Sequence, residues 1–428
     1  LKARTGEEKR FKLAIATQYA EALIAYLKES PGVKQVVAAG SYRRAKEKIG
    51  DLDILVTAAP GSSVMDRFVS YPEVEEVLAR GATKASLRLA CKLQVDVRVV
   101  PGESYGAALQ YFTGSKAHNV VLRQMAQQQG LKINEYGVFK GEQSVAGATE
   151  ESVYASVGLP WIPPELRENR GEFDAARAGR LPTLVEVSDL KGDLHAHTKA
   201  TDGQNSLKEM AEAARDRGLE YLAITDHSRR LAMAKGLDPK RLLEQLEEID
   251  RLNETLIGIT VLKGIEVDIL EDGSLDLPDE DLSRLDLVVG AVHSHFRLSR
   301  QQQTERILRA MDHPYFTILA HPTGRLIDER APYDVDMSRV IRHARDRGCF
   351  LEVNAHPIRL DLADTDCQAA KEAGVMVSIN SDAHRTLDFG NLRYGVGQAR
   401  RGWIEKQDVL NVRPLHALRP LLKRTMAG

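Results

Sequence analysis

The sequence predicts a multi-domain chain: an α+β domain over residues 1–158, a linker over 159–189 and an α/β domain over 190–428. Three observations predict it. At 428 residues the chain exceeds what one hydrophobic core usually organises. From Leu159 to about Leu190 the text turns Pro- and charge-rich (LPWIPPELRENRGEFDAARAGRLP) without a sustained period, which reads as a linker running over the surface. Beyond it, short β-rich runs alternate with helical ones, as in an α/β barrel or a doubly wound sheet.

Apolar residues make up 43% of the chain and charged residues 28%, with no low-complexity tract, so the chain buries real cores. No stretch approaches the roughly 20 apolar residues of a membrane span, and the start LKARTGEEKRFKL lacks the apolar core of a secretory signal. A cytoplasmic protein without a membrane partner is expected. Cys91, Cys349 and Cys367 form no C-x-x-C pair and read as reduced core residues. The net charge of −2 argues at first sight against nucleic acid, whose binding relies on Lys and Arg. It hides an asymmetry: residues 1–160 hold 21 Lys+Arg against 17 Asp+Glu, a net of +4, and the remainder 38 against 44, a net of −6.

In the first domain an amphipathic helical pattern (Phe11, Leu13, Ile15, Ala16, Tyr19, Leu23, Leu27) stops at Ser30-Pro31-Gly32. The chain begins at Leu1 rather than Met, so an upstream segment is expected. VKQVVAAGS then reads as a strand entering a turn, DLDILVTA and KLQVDVRVV as further strands, and HNVVLRQMAQQQG as a helix ended by Gly130.

Asp51 and Asp53 are separated by one residue on a predicted strand, so both carboxylates project from the same face. Two anions side by side repel unless a cation lies between them. Asp96 completes the set from a second β-like segment, with Arg98 on its own face. Hard oxygen ligands beside a phosphate-bearing substrate suit Mg²⁺, and a two-metal site activates an attacking hydroxyl while stabilising a leaving oxygen. Upstream, Gly40-Ser41 followed by Arg43 and Arg44 offers a turn, a hydroxyl and guanidinium groups for a triphosphate.

An isolated D-x-D is more often a solvated strand face, but the run as a whole is not isolated. GSYRRAKEKIGDLDILV, QVDVRVV, YFTGSKAHN and INEYGVF resemble, in order and spacing, the nucleotidyltransferase palm and thumb of family X DNA polymerases, over residues 11 to about 160. The resemblance implies Asp51, Asp53 and Asp96 as catalytic carboxylates for Mg²⁺ or Mn²⁺, and Gly40, Ser41, Arg44 and Gly50 as triphosphate contacts. It implies Tyr111, Phe112 and Gly114 as the segment that packs against the nucleotide sugar and separates ribose from deoxyribose. Asn119 and Arg123 fall where the family reads the minor-groove side of the nascent pair and template, and Arg98 is expected at the DNA. Family members carry a lyase-like domain and helix-hairpin-helix elements before this palm, which these residues do not contain.

In the second domain KGDLHAHT, SLKEMAEAARDRG, LEYLAITDHS, PKRLLEQLEEIDRLNETL, TVLKGIEVDIL and LDLVVGAVHSHF alternate strand and helix patterns. Almost every candidate strand ends in His, Asp or Glu, where barrel enzymes keep their chemistry, and eleven of the twelve histidines follow residue 190. His195 and His197 share a strand face, and Asp382 and His384 repeat the device. Between them lie Asp202, His227, Glu266, His293 and His321. One buried histidine is ordinarily a hydrogen-bonded core residue. Six with three acids on strand ends point instead to metal, and mixed imidazole and carboxylate ligation favours Zn²⁺, Mn²⁺ or Fe²⁺.

The pattern HAHT, DG, TDH, GIE, HSH, HP, SDAH resembles the PHP (polymerase and histidinol phosphatase) family across residues 190–428. That resemblance implies a distorted (β/α)7 barrel with a three-metal cluster. His195, His197, Glu266 and Asp382 would hold one ion, Glu266 would bridge to a second held by His293 and His321, and Asp202, His227 and His384 would hold a third. His295 is expected beside the cluster or facing substrate. The implied chemistry is metal-assisted phosphoester hydrolysis.

Together the resemblances imply a monomeric bacterial repair and gap-filling DNA polymerase, cytoplasmic and nucleoid-associated, acting on primer-template or gapped DNA with dNTPs. Its PHP barrel would supply a 3′–5′ exonuclease. Two other readings are a histidinol-phosphatase-like small-molecule phosphatase with an accessory first domain, and a non-catalytic DNA-binding module. The intact carboxylates and the YFTG segment speak against the first, and the complete ligand set against the second.

Overall fold

The computed structural model describes residues 9–425, and the chain divides into two compact units, Leu1–Leu181 and Pro182–Gly428. In the first unit, five strands form one sheet in the order Val33–Ala38, Asp51–Ala58, Gln94–Val99, Lys84–Leu89, Val74–Arg80. Asp51–Ala58 and Gln94–Val99 run parallel, and all other neighbours are antiparallel. The parallel register sets Asp53 opposite Asp96, so one carboxylate from each strand stands on a common face.

Helix Leu13–Lys28 is buried through Ala16, Ala20, Leu23 and Leu27, spaced three or four residues apart, as the amphipathic pattern predicts. Its first expected apolar residue, Phe11, instead pairs with Ile49 in a two-residue strand. Helices Tyr105–Thr113 and Lys116–Gln128 follow, then a three-stranded antiparallel sheet of Lys132–Asn134, Gly137–Lys140 and Gln143–Ala146. The Ser115 hydroxyl caps the second helix by accepting from the His118 N–H at 3.3 Å.

The surface linker expected over residues 159–189 is not what forms. Residues 159–181 pack into the first unit, where Ile162, Leu166 and Arg167 are fully buried, and 182–189 belong to the second, where Val185 donates to the Ile404 carbonyl at 3.0 Å. The buried charge explains why. The Arg167 guanidinium donates to Glu150 at 2.7 Å and to the Ile162 carbonyl at 2.8 Å, and Glu150 also accepts from both Arg43 terminal nitrogens, at 2.8 and 2.7 Å, and from Trp161 at 2.9 Å. Such elements are too short to show a period, and the ion pair that fixes them, Arg167 with Glu150, has no spacing signature.

Burial alone would raise the Glu150 carboxyl, but the Arg43 and Arg167 guanidinium groups hold it down at about 2, below its ordinary value of 4.5. Because the folded value is depressed, its contribution to stability is full above the ordinary value and is lost as pH falls through about 2. Glu150→Gln leaves the buried Arg167 and the partly buried Arg43 guanidinium groups without their anion, and a loss of about 3 kcal/mol of unfolding free energy is expected from urea melts at neutral pH.

In the second unit every named strand pairing is parallel. One sheet orders Gly192–Asp193, Tyr221–Ile224 and Thr260–Lys263, and the other Glu266–Asp268, Val289–Ala291, Ile318–Leu319, Phe350–Asn354 and Val377–Asn380. Single bridges His227↔Glu266 and Ala196↔Ala383 join the sheets at both ends and close the ring. With Thr260–Lys263 and Glu266–Asp268 taken as one interrupted strand, the eight segments make a distorted seven-stranded barrel. Helices Leu207–Asp216, Pro239–Thr255, Arg300–Met311, Met337–Arg347 and Asp364–Glu372 alternate with the strands. One strand face, with Leu194, Ala223, Leu262, Val289 and Ile318, packs with Leu418 and Leu422 of the last helix, Leu415–Thr425. Because the strands are parallel, their C-terminal ends share one rim.

Candidate active sites

In the first unit, Gly40 opens the turn that passes over the Asp53 carboxylate. Its φ is +62°, and a Cβ there would lie 2.5 Å from Asp53 Oδ2, so only glycine admits this approach. The Asp53 carboxyl is pushed up to about 7, first by burial and then by the neighbouring Asp51 and Asp96 charges, against the pull of Arg98 and Arg44. Two further anions close enough to raise the Asp53 carboxyl are what a cation site shows. Asp96 is fixed by the Ser86 hydroxyl, which donates to Oδ1, and by Gln94 Nε2, which donates to Oδ2 at 3.2 Å. The three carboxylates are nonetheless looser than the second unit's clusters, and among the described residues the groups with ligand atoms all within 4.8 Å of one another lie only there.

Beside Asp51 a cavity of about 570 Å³ is lined by Ser41, Arg44, Gly50 and the cations Lys9, Arg10, Lys46, Lys48, Arg88 and Lys92. Of the sequence-predicted triphosphate residues, Ser41, Arg44 and Gly50 share one basic cleft, while Gly40 lies over Asp53, and Gly50 leaves its side-chain direction open. Arg44 is held there by the Thr113 carbonyl at 2.5 Å and by Glu168 at 3.0 Å. The six additional cations were not singled out by sequence, because a scatter of Lys and Arg has no spacing signature.

Tyr111 and Phe112 meet edge to face at 5.1 Å, and the Arg98 guanidinium lies 4.2 Å over the Phe112 ring beside Asp53 and Asp96. Gly114, with φ +70°, ends this helix against Arg44. Asn119 spends its amide internally, donating to the Tyr111 carbonyl and accepting from Gln110, both at 2.7 Å. Arg123 donates back to the Asn119 carbonyl at 3.2 Å. These two residues are placed near the Tyr111 segment, but Asn119 positions that segment rather than presenting a free amide.

The second unit gathers all nine predicted ligands on the rim at the C-terminal strand ends. Glu266 stands at their centre: its oxygens lie 3.4 Å from His195, 3.5 Å from His197, 2.9 Å from His227, 3.2 Å from His293 and 2.9 Å from His321. Three groups converge: His195, His197 and Asp382; His227, Glu266 and His293; and His197, Asp202, His227 and His384. The partition differs from the expected one in that His197 and His227 each serve two groups, while His321 reaches the cluster through Glu266. His321 and Asp382 have φ of 27° and 54°, a strained backbone that aims both side chains inward.

His195 Nε2, both His197 ring nitrogens, His227 Nδ1, His321 Nδ1 and Glu266 Oε2 are buried without a hydrogen-bond partner. Each such atom costs about 1–3 kcal/mol, which divalent cations would offset by accepting these lone pairs. The residues thus fit a metal cluster. Burial, then His384 and His227, push His197 down to about 3, which keeps it in the neutral form a ligand needs. His321 falls to about 4 through burial and the Arg359 charge. Burial would also lower His227, but Glu266 and Asp202 hold it up at about 10.

Sequence reasoning missed the residues that hold the ligands. Buried Glu352 accepts from His195 Nδ1 at 2.7 Å and from the His321 N–H at 2.8 Å, while Asp268 binds His293 Nδ1 at 2.6 Å. Each leaves the other ring nitrogen for the cluster. Asp268 had a signal, since it follows Glu266 by two residues on the same strand face. Arg359 lies 3.3 Å from Asp382 Oδ2. His295, expected beside the cluster or facing substrate, has φ of 56° and is exposed, 3.6 Å from Glu271.

Residues 15–99 match the DNA polymerase beta palm family, 108–168 the DNA polymerase beta thumb and 193–356 the PHP domain. A protein of Bacillus subtilis named "DNA polymerase/3'-5' exonuclease PolX" is 39% identical over 98% of this chain and 74% of its own length. The chain belongs to the PHP-bearing family X DNA polymerases. A "probable phosphatase" of Thermoanaerobacter sp. (strain X514) is 30% identical over 51% of this family X chain and 89% of its own length, and another of Acetivibrio thermocellus is 30% identical over 46% and 81%. No described helix of the family X chain is long and apolar enough to cross a membrane.

Proposed function

We propose that the chain extends DNA primers in its first unit and hydrolyses DNA from the 3′ end in its second, as a repair and gap-filling polymerase with an intrinsic 3′–5′ exonuclease. The observation that carries the polymerase reading is the register pair Asp53 and Asp96 with Asp51, beside a basic cleft. Asp51, Asp53 and Asp96 hold the divalent ions, Mg²⁺ or Mn²⁺, which supply charge neutralisation at the attacking and leaving oxygens. Ser41, Arg44 and the Gly50 backbone receive the dNTP triphosphate, and Arg98, Asn119 and Arg123 act at the DNA side, Asn119 by fixing the Tyr111 segment.

In the second unit the nine ligands would hold Zn²⁺, Mn²⁺ or Fe²⁺, ions that would supply an acidified water and neutralisation of phosphate charge. Glu352 and Asp268 orient His195 and His293 for that task. The chain acts in the bacterial cytoplasm, as a monomer on primer-template or gapped DNA. The test is incubation with 3′-labelled primed DNA and Mn²⁺ or Mg²⁺, with and without dNTPs. Extension with dNTPs and shortening without them is the expected result. Neither activity, with hydrolysis of small phosphomonoesters instead, would sink the reading.

A smaller effect is expected at the sugar. Tyr111 and Phe112 crowd the side of the nucleotide where a 2′-hydroxyl would sit, so Tyr111→Ala should raise rNTP incorporation relative to dNTP by about tenfold, or about 1.4 kcal/mol of discrimination. Single-nucleotide insertion kinetics measure this, and an unchanged ratio removes the segment from the sugar contact.

A further inference from the structure

The strand Tyr221–Ile224 leads through His227 into a loop, Ser228–Leu237, whose ends are pinned together. Ser228 and Leu237 form a bridge, the Leu237 N–H donates to the His227 carbonyl at 2.7 Å, and a Cβ on Gly236 would lie 1.9 Å from the Ser228 carbonyl oxygen. The neck therefore closes only around glycine. Buried Asp276 anchors it by accepting from the Ser228 hydroxyl at 3.0 Å and the Arg230 N–H at 2.6 Å. Arg241 ties its far side by donating to the Lys235 and Gly236 carbonyls at 2.5 and 3.0 Å and to Ala200, on the segment that leads to Asp202.

So rigid a neck presents a tip with no visible structural purpose. Met233 is 98% exposed although Ala234 beside it and Leu237 are buried, and leaving a methionine wholly in water forgoes about 1.5–3 kcal/mol. Around it stand Arg229, Arg230 and Lys235, all exposed. The loop holds these three cations and no acid, in a half of the chain that carries 38 Lys+Arg against 44 Asp+Glu. Basic groups with an exposed flexible apolar side chain, rooted on a candidate metal ligand, match a polynucleotide strand: phosphates for the cations, a base face for the thioether.

We propose that the Ser228–Leu237 loop grips the 3′-terminal strand of DNA entering the second unit's cluster, with Arg230 and Lys235 on backbone phosphates and Met233 against a base. This rests on the exonuclease reading and deepens it: the loop is what makes the site act on a polymer rather than on a small phosphoester. The experiment compares the full chain with Arg230→Ala/Lys235→Ala and Met233→Ala variants in Mn²⁺. Substrates are a 3′-labelled single-stranded oligonucleotide over a salt series and bis(4-nitrophenyl) phosphate, with metal content and melting temperature recorded for each protein.

The double variant is expected to raise KM for DNA about tenfold and to reduce the slope of log(kcat/KM) against log[salt] by about 1.4, the loss of two phosphate contacts on a single strand. Met233→Ala is expected to raise KM for DNA severalfold without changing that slope. Hydrolysis of bis(4-nitrophenyl) phosphate should be unchanged in both. Unaltered DNA kinetics in the variants would overturn the proposal, and so would a parallel loss on both substrates, which would make the loop a support of the cluster. A parent chain that cleaves the small diester but no DNA would overturn the exonuclease reading, and the loop's role with it.

Discussion

Glu266→Gln is expected to lower 3′–5′ hydrolysis of a labelled primer by at least about 10²-fold and to deplete the purified protein of metal, while primer extension persists. The magnitude follows from its place. Glu266 is fully enclosed, its two oxygens approach five histidines within 3.5 Å, and it faces His227 and His293 in one convergent group. Replacing one oxygen by an amide removes a negative charge from beside all five rings and puts an N–H where a lone pair stood. His227, His293 and His195 hold the Glu266 carboxyl well below its ordinary value although burial alone would raise it, so its charge is what these three rings face. Asp202→Asn is expected to be milder. Asp202 is partly exposed, and among the histidines it reaches His227, His384 and, at 3.9 Å, His197, so a reduced rate with partial loss of metal is the outcome. Full exonuclease activity and full metal content in Glu266→Gln would show that this barrel is not the nuclease.

Asp96→Ala is expected to reduce nucleotide addition by roughly 10³-fold or more, about 4 kcal/mol of transition-state stabilisation, and to leave 3′–5′ hydrolysis within error of the parent. Asp96 is the only one of the three carboxylates contributed by Gln94–Val99, and it stands in register with Asp53. Its loss leaves Asp51 and Asp53 on one strand, without the opposing anion that makes a cage for two cations. The Ser86 and Gln94 side chains that fix it would lose their acceptor. Single-turnover insertion of one dNTP, with the exonuclease assay run in parallel, separates loss of chemistry from loss of fold. An Asp96→Ala chain that extends primers at the parent rate would sink the assignment of this site.

The two sites differ in how far the sequence exposed them. D-x-D and H-x-H spacings are local facts, because a strand's period of two fixes which side chains share a face whatever lies around them. Strand ends followed by His, Asp or Glu were legible for the same reason, and all nine candidate ligands of the second unit come together on one rim. The partners that hold them were not. Glu352 lies 157 residues from His195 and Asp268 lies 25 from His293, and no local pattern links either pair. Residues 159–181 misled for a related reason: Pro, Arg and Glu read as exposed, and the Glu150 carboxylate with the Ile162 carbonyl made it possible to bury Arg167.

By itself, then, the sequence determined the succession of an α+β and an α/β unit, the carboxylate and histidine faces, and the family those motifs resemble. Each is set by short-range periodicity and by side-chain chemistry that needs no neighbour to be read. The tertiary structure alone decided the rest: that Asp53 stands in register with Asp96, that Glu352 and Asp268 orient the ligand histidines, that His197 and His227 each serve two convergent groups, and that His295 stands beside Glu271. These depend on strand register, ring closure and a few residues with positive φ, which arise from pairings between distant segments. Such pairings are fixed by packing and by the cost of burying an unpaired charge, and neither is written into any one stretch of the chain.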